Sequence, residues 1–290
     1  MPDCLYAQFT QAHNYDNTPV GTNQIEVAYA YAHANASVDT SLIVTGAKFD
    51  LHQGSITYTR YFALFDHQLW VQGTVPFAGL TGSVSGTKIQ GSVIGTGDSS
   101  YTISALLKGG PALSLAQLSN YKPRTIVGMS LAISAPTGTY SPDKLLNLGS
   151  DRWSFKPEIA ISRPFGPDQK WQCDLYGQAY FFTDNTSYRG RQILRQDPLP
   201  GIEEHLSYSF TDNLWVSLDG LYSFRGETVL NGTKQNDSQS NFILGSEANL
   251  SLGSRNSLVL QFSRAIIHQN GPDSTGVAVK YTYTWGRDYK

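Results

Sequence analysis

The stretch VAVKYTYTW, Val277 to Trp285, alternates without a break. Val277, Val279, Tyr281, Tyr283 and Trp285 share one face of an extended chain. Ala278, Lys280, Thr282 and Thr284 share the other, because successive side chains of a strand point to opposite sides. A soluble strand with one solvated face alternates too. Three large aromatics that close on Trp suit a different solvent. Such a face meets lipid, and the Trp anchors it at the membrane–water boundary.

The totals agree. The chain has 290 residues, long for an ordinary globular domain but within the range of a single barrel. Charged residues make up 15%, against about 25% in typical soluble domains. Mean hydropathy is still negative, at -0.28, so Gly, Ser, Thr, Asn, Gln and Tyr replace the missing charge. With 17 Tyr, 13 Phe and 27 Gly, the composition suits pleated surfaces and turns. A net charge of -2 offers no basic field to nucleic acid. Two cysteines, Cys4 and Cys173, make no disulfide framework. No apolar run approaches the roughly 18 residues of a membrane helix, whereas a barrel strand needs only about 9–11 alternating ones. The start, MPDCLYAQFTQ, has no basic region followed by an apolar one. An export leader is therefore expected outside this numbering, or at a different start site.

Turn signals cut the chain into segments of strand character at 23–34, 55–65, 68–80, 99–108, 124–135, 153–163, 170–183, 201–210, 214–224, 240–250, 257–267 and 277–285. That makes twelve, an even number. Their connections alternate between short turns, such as Thr211-Asp212-Asn213, and long polar loops. A membrane barrel has this asymmetry, with short periplasmic turns and long extracellular loops. Residues 109–123 are the exception on the short side, and Leu113–Leu118 there suggests a short helix. The expected fold is all-β: one antiparallel transmembrane barrel over 23–285, an irregular segment over 1–22 and a short tail over 286–290. The closing strand ends near an aromatic of the kind the barrel-assembly machinery reads, although GRDYK follows Trp285.

Trp70, Trp171 and Trp215 each follow a short turn, and Trp285 ends the last strand. A single Trp is more often a core residue. Four at one end of a barrel point to an interface girdle, with Trp153 marking the opposite rim.

The other face of each strand then lines the lumen. It carries Lys156, Glu158, Asp174, Tyr176, Gln178, Tyr180, Glu203, His205, Asp219, Glu247 and Lys280. Buried charges need partners or water. Either these residues tune a hydrated pore, or they fill a modest barrel with salt bridges. Pro157 removes a ladder donor, so a bulge is expected there.

The search for catalytic patterns is negative. His205 and Ser207 share a face, but a base also needs an orienting partner. There is no GxSxG, no HExxH and no Cys pair, and GTGD at 95–98 lacks the Lys-Ser/Thr of a phosphate loop. No enzyme, cofactor or metal site is expected. The expected partners are membrane lipid and a small-molecule solute.

Several segments carry a resemblance. PVGTNQIEVAYAYA (19–32), SLAISAPTGTYSPDKLLNLGSDRWSFKPEIAISRPFG (130–166), YFFTDN (180–185) and Gln196–Leu199 are similar to the bacterial family named for a MetA pathway of phenol degradation. LWVSLDGLYSFRGETVLNG and DSQSNFILG add to it. The resemblance implies an outer-membrane barrel with a transport role near aromatic catabolism. It implies uptake of small molecules, aromatic or hydrophobic ones among them. The matched central block spans a long loop. There Tyr140, Asp143, Lys144, Asn147 and Arg152 either fold over the mouth as a constriction or fix the loop by hydrogen bonds.

Overall fold

The computed structural model describes residues 9–35, 47–84, 87–88 and 90–286. Cys4 and the tail beyond Gly286 lie outside the described residues. In chain order the strands are β1 (Asn23–Ala34), β2 (Ala47–Leu64), β3 (His67–Val84), β4 (Gln90–Thr96), β5 (Ser99–Lys108), β6 (Ile126–Ala135), β7 (Ser154–Phe165), β8 (Trp171–Phe182), β9 (Asn185–Tyr188), β10 (Gln192–Gln196), β11 (Leu199–Thr211), β12 (Leu214–Arg225), β13 (Thr228–Leu230), β14 (Thr233–Lys234), β15 (Gln239–Ser251), β16 (Asn256–Gln269) and β17 (Ser274–Trp285). One four-residue helix, α1 (Leu115–Leu118), lies within the long connection between β5 and β6.

Twelve of these strands close an antiparallel barrel. Each pairs with its sequence neighbour in the wall, and β1 pairs with β17 from Asn23↔Trp285 to Ala34↔Ser274. Closure leaves no edge, so the backbone amides that face lipid are satisfied within the sheet. The outward phase forms an apolar belt. On β17 it is the opening stretch itself, with Val277 and Tyr281 exposed, while Ala278 and Lys280 line an internal cavity. On β11, Ile202, Leu206 and Phe210 are exposed, while Glu203, His205 and Ser207 are buried.

The strands depart most from expectation in three places. β2 begins at Ala47, eight residues earlier than position 55. Its polar Asp50 and His52 face outward, where Tyr31 Oη donates to Asp50 (2.6 Å) and Tyr29 Oη pairs with His52 Nδ1 (2.7 Å). The Gly/Ser/Thr segment before Asp98 is in part a strand. β4 and β5 both pair with β3, over Phe77–Ser83 and Leu69–Thr74, with Gly97 and Asp98 as the break between them. No bulge forms at Pro157. The β6–β7 register runs through Leu131↔Pro157 unshifted, and β7 resumes its register with β8 at Glu158↔Gln178. The ladder tolerates the missing donor by interrupting the β7–β8 pairing at Lys156 and Pro157, while Ala179 and Tyr180 of β8 stay paired with β11.

The first short turn is Phe65–Asp66, with φ of 49° and 63°. Two positive φ values make the primed turn that matches strand twist. A second, four-stranded sheet of β9, β10, β13 and β14 decorates the long-loop end.

Candidate functional site

Residues 9–22 do not trail from the barrel. They lie inside it and descend to β1 at the short-turn end. There Val20 N donates to Leu113 O (2.8 Å) in the long β5–β6 connection, and Gly21 N donates to Tyr61 O (3.0 Å). This explains why one turn on the short side is long: it holds the entering chain.

Tyr15 is the anchor. It is fully buried against Trp70 and Tyr176, with ring centroids at 5.6 and 5.3 Å, and its hydroxyl donates to Glu158 (2.8 Å). The ring fits because residue 128 is Gly; a Cβ there would collide with Tyr15. Burial, then the Glu158 charge, push the Tyr15 phenol pKa up. Thr10 Oγ1 also donates to Glu158 (2.8 Å), Gln172 Nε2 donates to Asp16 (2.8 Å), and His13 N donates to Asp174 (3.0 Å).

His13 stacks on Trp215 at 4.5 Å and bridges Asp16 and Ser207, with Nδ1 2.7 Å from Asp16 Oδ2 and Nε2 2.8 Å from Ser207 Oγ. Burial alone would lower the His13 pKa, but Asp16, helped by Asp174 and Glu247, raises it. These are the distances of a Ser-His-Asp triad. Ser207, however, is buried in the middle of β11, with Gln172 and Ser217 as ladder partners on either side. Its neighbouring amides are spent on the sheet and cannot serve an oxyanion. The contact anchors the segment.

Beside this anchor lies a second ionic group. His205 is bonded on both nitrogens, to Asp219 Oδ1 through Nδ1 (2.7 Å) and to Glu203 Oε1 through Nε2 (2.9 Å). Gln178 Nε2 reaches Glu203 at 3.5 Å, and Gln261 Nε2 donates to Glu247 (2.8 Å). Lys156 lies 3.4 Å from Glu158 and 5.8 Å from the Tyr180 ring. Thus the eleven positions read as inward share the lumen. Lys156, Glu158, Tyr180 and Lys280 border open space, whereas Asp174, Tyr176, Glu203, His205 and Asp219 pack against the N-terminal segment or one another.

The girdle needs correction. Trp70 is 1% exposed and Trp215 stacks on His13, so both face the lumen. They stand out of phase with the lipid-facing Val71 and Val216, and period two outranks level along the strand. Trp153 and Trp171 are exposed on the outside at opposite rims. Trp285 stacks on Tyr283 (5.9 Å) and sits near Tyr58 (6.2 Å) on the same outer face.

The space that remains is a polar cavity of about 270 Å³. One wall is a ladder of Ser55, Thr57, Thr74, Ser100, Thr102 and Ser104. Phe9, Tyr180, Lys156 and Lys280 line the cavity too. Above it, Leu148 of the loop between β6 and β7 packs on Ala32, Phe49, Leu51 and Leu80, with Leu146 beside it. Asp98, 2% exposed, pins that loop by accepting from Gly138 N (2.9 Å), Ser150 N (2.9 Å) and Ser150 Oγ (2.6 Å). Tyr140 Oη accepts from Asn185 (3.0 Å), Asn147 Oδ1 from Ser141 N (2.8 Å), and Arg152 donates to Gln196 (2.7 Å). Asp143 and Lys144 are exposed at the rim. Sequence reasoning missed Phe9, Thr10, His13, Tyr15, Asp16 and Asp98. The one hint was a segment, HNYDN, richer in titratable and aromatic groups than a tail requires.

Comparison with known proteins follows the same lines. The family model described as "Putative MetA-pathway of phenol degradation" matches residues 16–281. A crystal structure of a COG4313 outer membrane channel from Pseudomonas putida F1 superposes with a TM-score of 0.82 at 24% identity, covering 96% of this chain and 100% of that one. The β domain of the Bordetella autotransporter BrkA gives 0.55 at 10% identity over 92% and 100%. The KdgM porin in complex with disordered oligogalacturonate gives 0.50 at 8% identity over 90% and 99%. These likenesses establish the barrel fold. No curated protein sequence matches the chain.

Proposed function

Starting from a chain that belongs to the family described as "Putative MetA-pathway of phenol degradation", we propose a passive channel of a bacterial outer membrane. Small solutes would cross it through the lumen. The observation that carries this is the polar cavity of about 270 Å³ between the hydroxyl ladder and the N-terminal segment. It is smaller than the roughly 300–1,000 Å³ of sites for drug-sized ligands, so it suits single-ring or shorter solutes. The ladder supplies donors and acceptors, and Phe9 and Tyr180 supply flat apolar surface. A small solute with a hydroxyl group fits both, and simple phenols belong to that class. Residues 9–22 and the loop pinned by Asp98 set the width of the path. No hydrolytic step is proposed, because the one triad-like contact is an anchor.

The alternative is a closed barrel that binds or merely stabilises, and the filled lower lumen favours it. Solute flux separates the two. Proteoliposomes carrying the folded protein should swell in glycerol, erythritol and a hydroxybenzoate, and more slowly in a disaccharide. Absence of swelling in every solute, with the barrel shown folded by its unboiled gel shift, would leave the closed barrel.

A further inference from the structure

The wall formed by β11, β12 and β15 carries a donor set that solute passage does not use. His205, Asp219 and Glu247 are each buried, and one ligand atom from each lies within 4.8 Å of the others. Glu247 accepts from Gln261 through Oε1, but its Oε2 is buried without a hydrogen-bond partner. Ser217 Oγ, on Glu247's cross-strand neighbour, is likewise buried and unpartnered. A void of about 10 Å³ adjoins Asp219, Glu247, Gln261 and the Phe9 ring. That is the room one water-sized sphere occupies.

We infer that His205, Asp219 and Glu247 form a site for one divalent metal ion of the zinc type. One nitrogen and two carboxylate oxygens with a fourth position left open is a coordination set that zinc accepts. Calcium takes six to eight oxygens, whereas this cluster is built on an imidazole nitrogen and two carboxylates. The supporting shell is already built. His205 holds Glu203 on Nε2, the carboxylate–histidine arrangement that orients a metal-bound imidazole, and Gln261 holds Glu247. The nitrogen that faces Asp219, Nδ1, is the ligand. Without metal, both His205 nitrogens sit against carboxylates, Nδ1 on Asp219 and Nε2 on Glu203. The ion takes the place of the Nδ1–Asp219 contact, with the imidazole as a neutral ligand. Bound metal ties three strands together beside Phe9, whose ring stands edge-on to His205 at 6.1 Å.

Zinc chloride titrated into the folded, EDTA-stripped protein in detergent tests this, with heat and stoichiometry read by calorimetry. One ion per chain is expected. Glu247→Gln, nearly isosteric, should weaken binding at least tenfold, and Glu203→Gln by roughly 10–100-fold, the usual effect of a supporting carboxylate. X-ray absorption of the wild-type complex should show one imidazole and otherwise oxygen ligands, a readout that needs no variant to fold. Surface histidines supply the control, because His33, His52 and Asp50 cluster on the outer face. Overturning results are no stoichiometric uptake, uptake unchanged in Glu247→Gln, or uptake lost in His33→Ala/His52→Ala. The last would place the ion on the outer face. None of these outcomes bears on solute flux, so the site and the channel stand or fall separately.

Discussion

Tyr15→Ala isolates the grip of the N-terminal segment on the lumen. Tyr15 is fully buried, touches Trp70 and Tyr176 edge-on, and hydrogen-bonds Glu158. Truncating a buried aromatic costs about 3–5 kcal/mol. The bond to Glu158, of the order of 1.5–3 kcal/mol for a charged acceptor, is part of that total. Water can enter the vacated space from the cavity, so the lower bound, about 3 kcal/mol, is the better figure. It acts on the attached-to-detached equilibrium of the segment and multiplies the detached fraction roughly 150-fold, at about 1.4 kcal/mol per decade. The segment keeps its His13, Thr10 and Asp16 contacts, so Tyr15→Ala should show frequent, brief high-conductance events rather than permanent opening. Tyr15→Phe keeps the ring and should show about a tenth of the effect. The assay is single-channel recording in planar bilayers, with the unboiled gel shift confirming an intact barrel. Tyr15→Ala traces indistinguishable from wild type would refute the anchoring role.

His13 makes the same attachment depend on pH. Its pKa is raised above 6.5 in the attached state, so its contribution is complete below 6.5 and is lost as pH rises through the raised value. High-conductance events should therefore become more frequent with rising pH, and His13→Gln should flatten that profile. Asp98→Ala removes three bonds from the mouth loop, a loss of roughly 3 kcal/mol. Limited proteolysis should then cut within residues 136–153 of the variant and spare the wild type. Glu204 faces outward between Ile202 and Leu206, with no ion pair among the described residues. Glu204→Leu should raise barrel stability by roughly 1–2 kcal/mol in lipid unfolding assays, because a carboxylate on the belt is unfavourable there. Brominated lipids should quench Trp153 and Trp171 and spare Trp70; equal quenching of all three would invert the assigned facing.

Much of the wall is legible because a strand has a period of two and lipid enforces it. Once Leu206 or Val279 is assigned to lipid, Glu203, His205 and Lys280 have no other side to occupy. The same rule contained the facing of Trp70 and Trp215. Trp215 is adjacent to the lipid-facing Val216, so its phase points inward, and placing it by its distance from the turn overrode the stronger signal. The N-terminal segment was hidden for a different reason. It has no periodicity, and its partners are remote: His13 meets Ser207 across 194 residues and Tyr15 meets Glu158 across 143. No local pattern encodes such pairings; they appear only when closure of the barrel brings β7 and β11 around one lumen. Strand β4 escaped notice because it is only seven residues long, three of them Gly or Ser. Its strand state comes from pairing with β3, and its own propensity is weak.

Whether the lumen is a narrowed but open path is tested most directly by single-channel conductance of the folded wild-type protein beside a variant lacking residues 9–18, both with the same unboiled gel shift. Small, discrete steps are expected from the wild type and larger, steadier steps from the deletion, because the segment narrows a path that already exists. No current from either folded protein would contradict it, since a barrel that stays shut with its lumen cleared is not a channel.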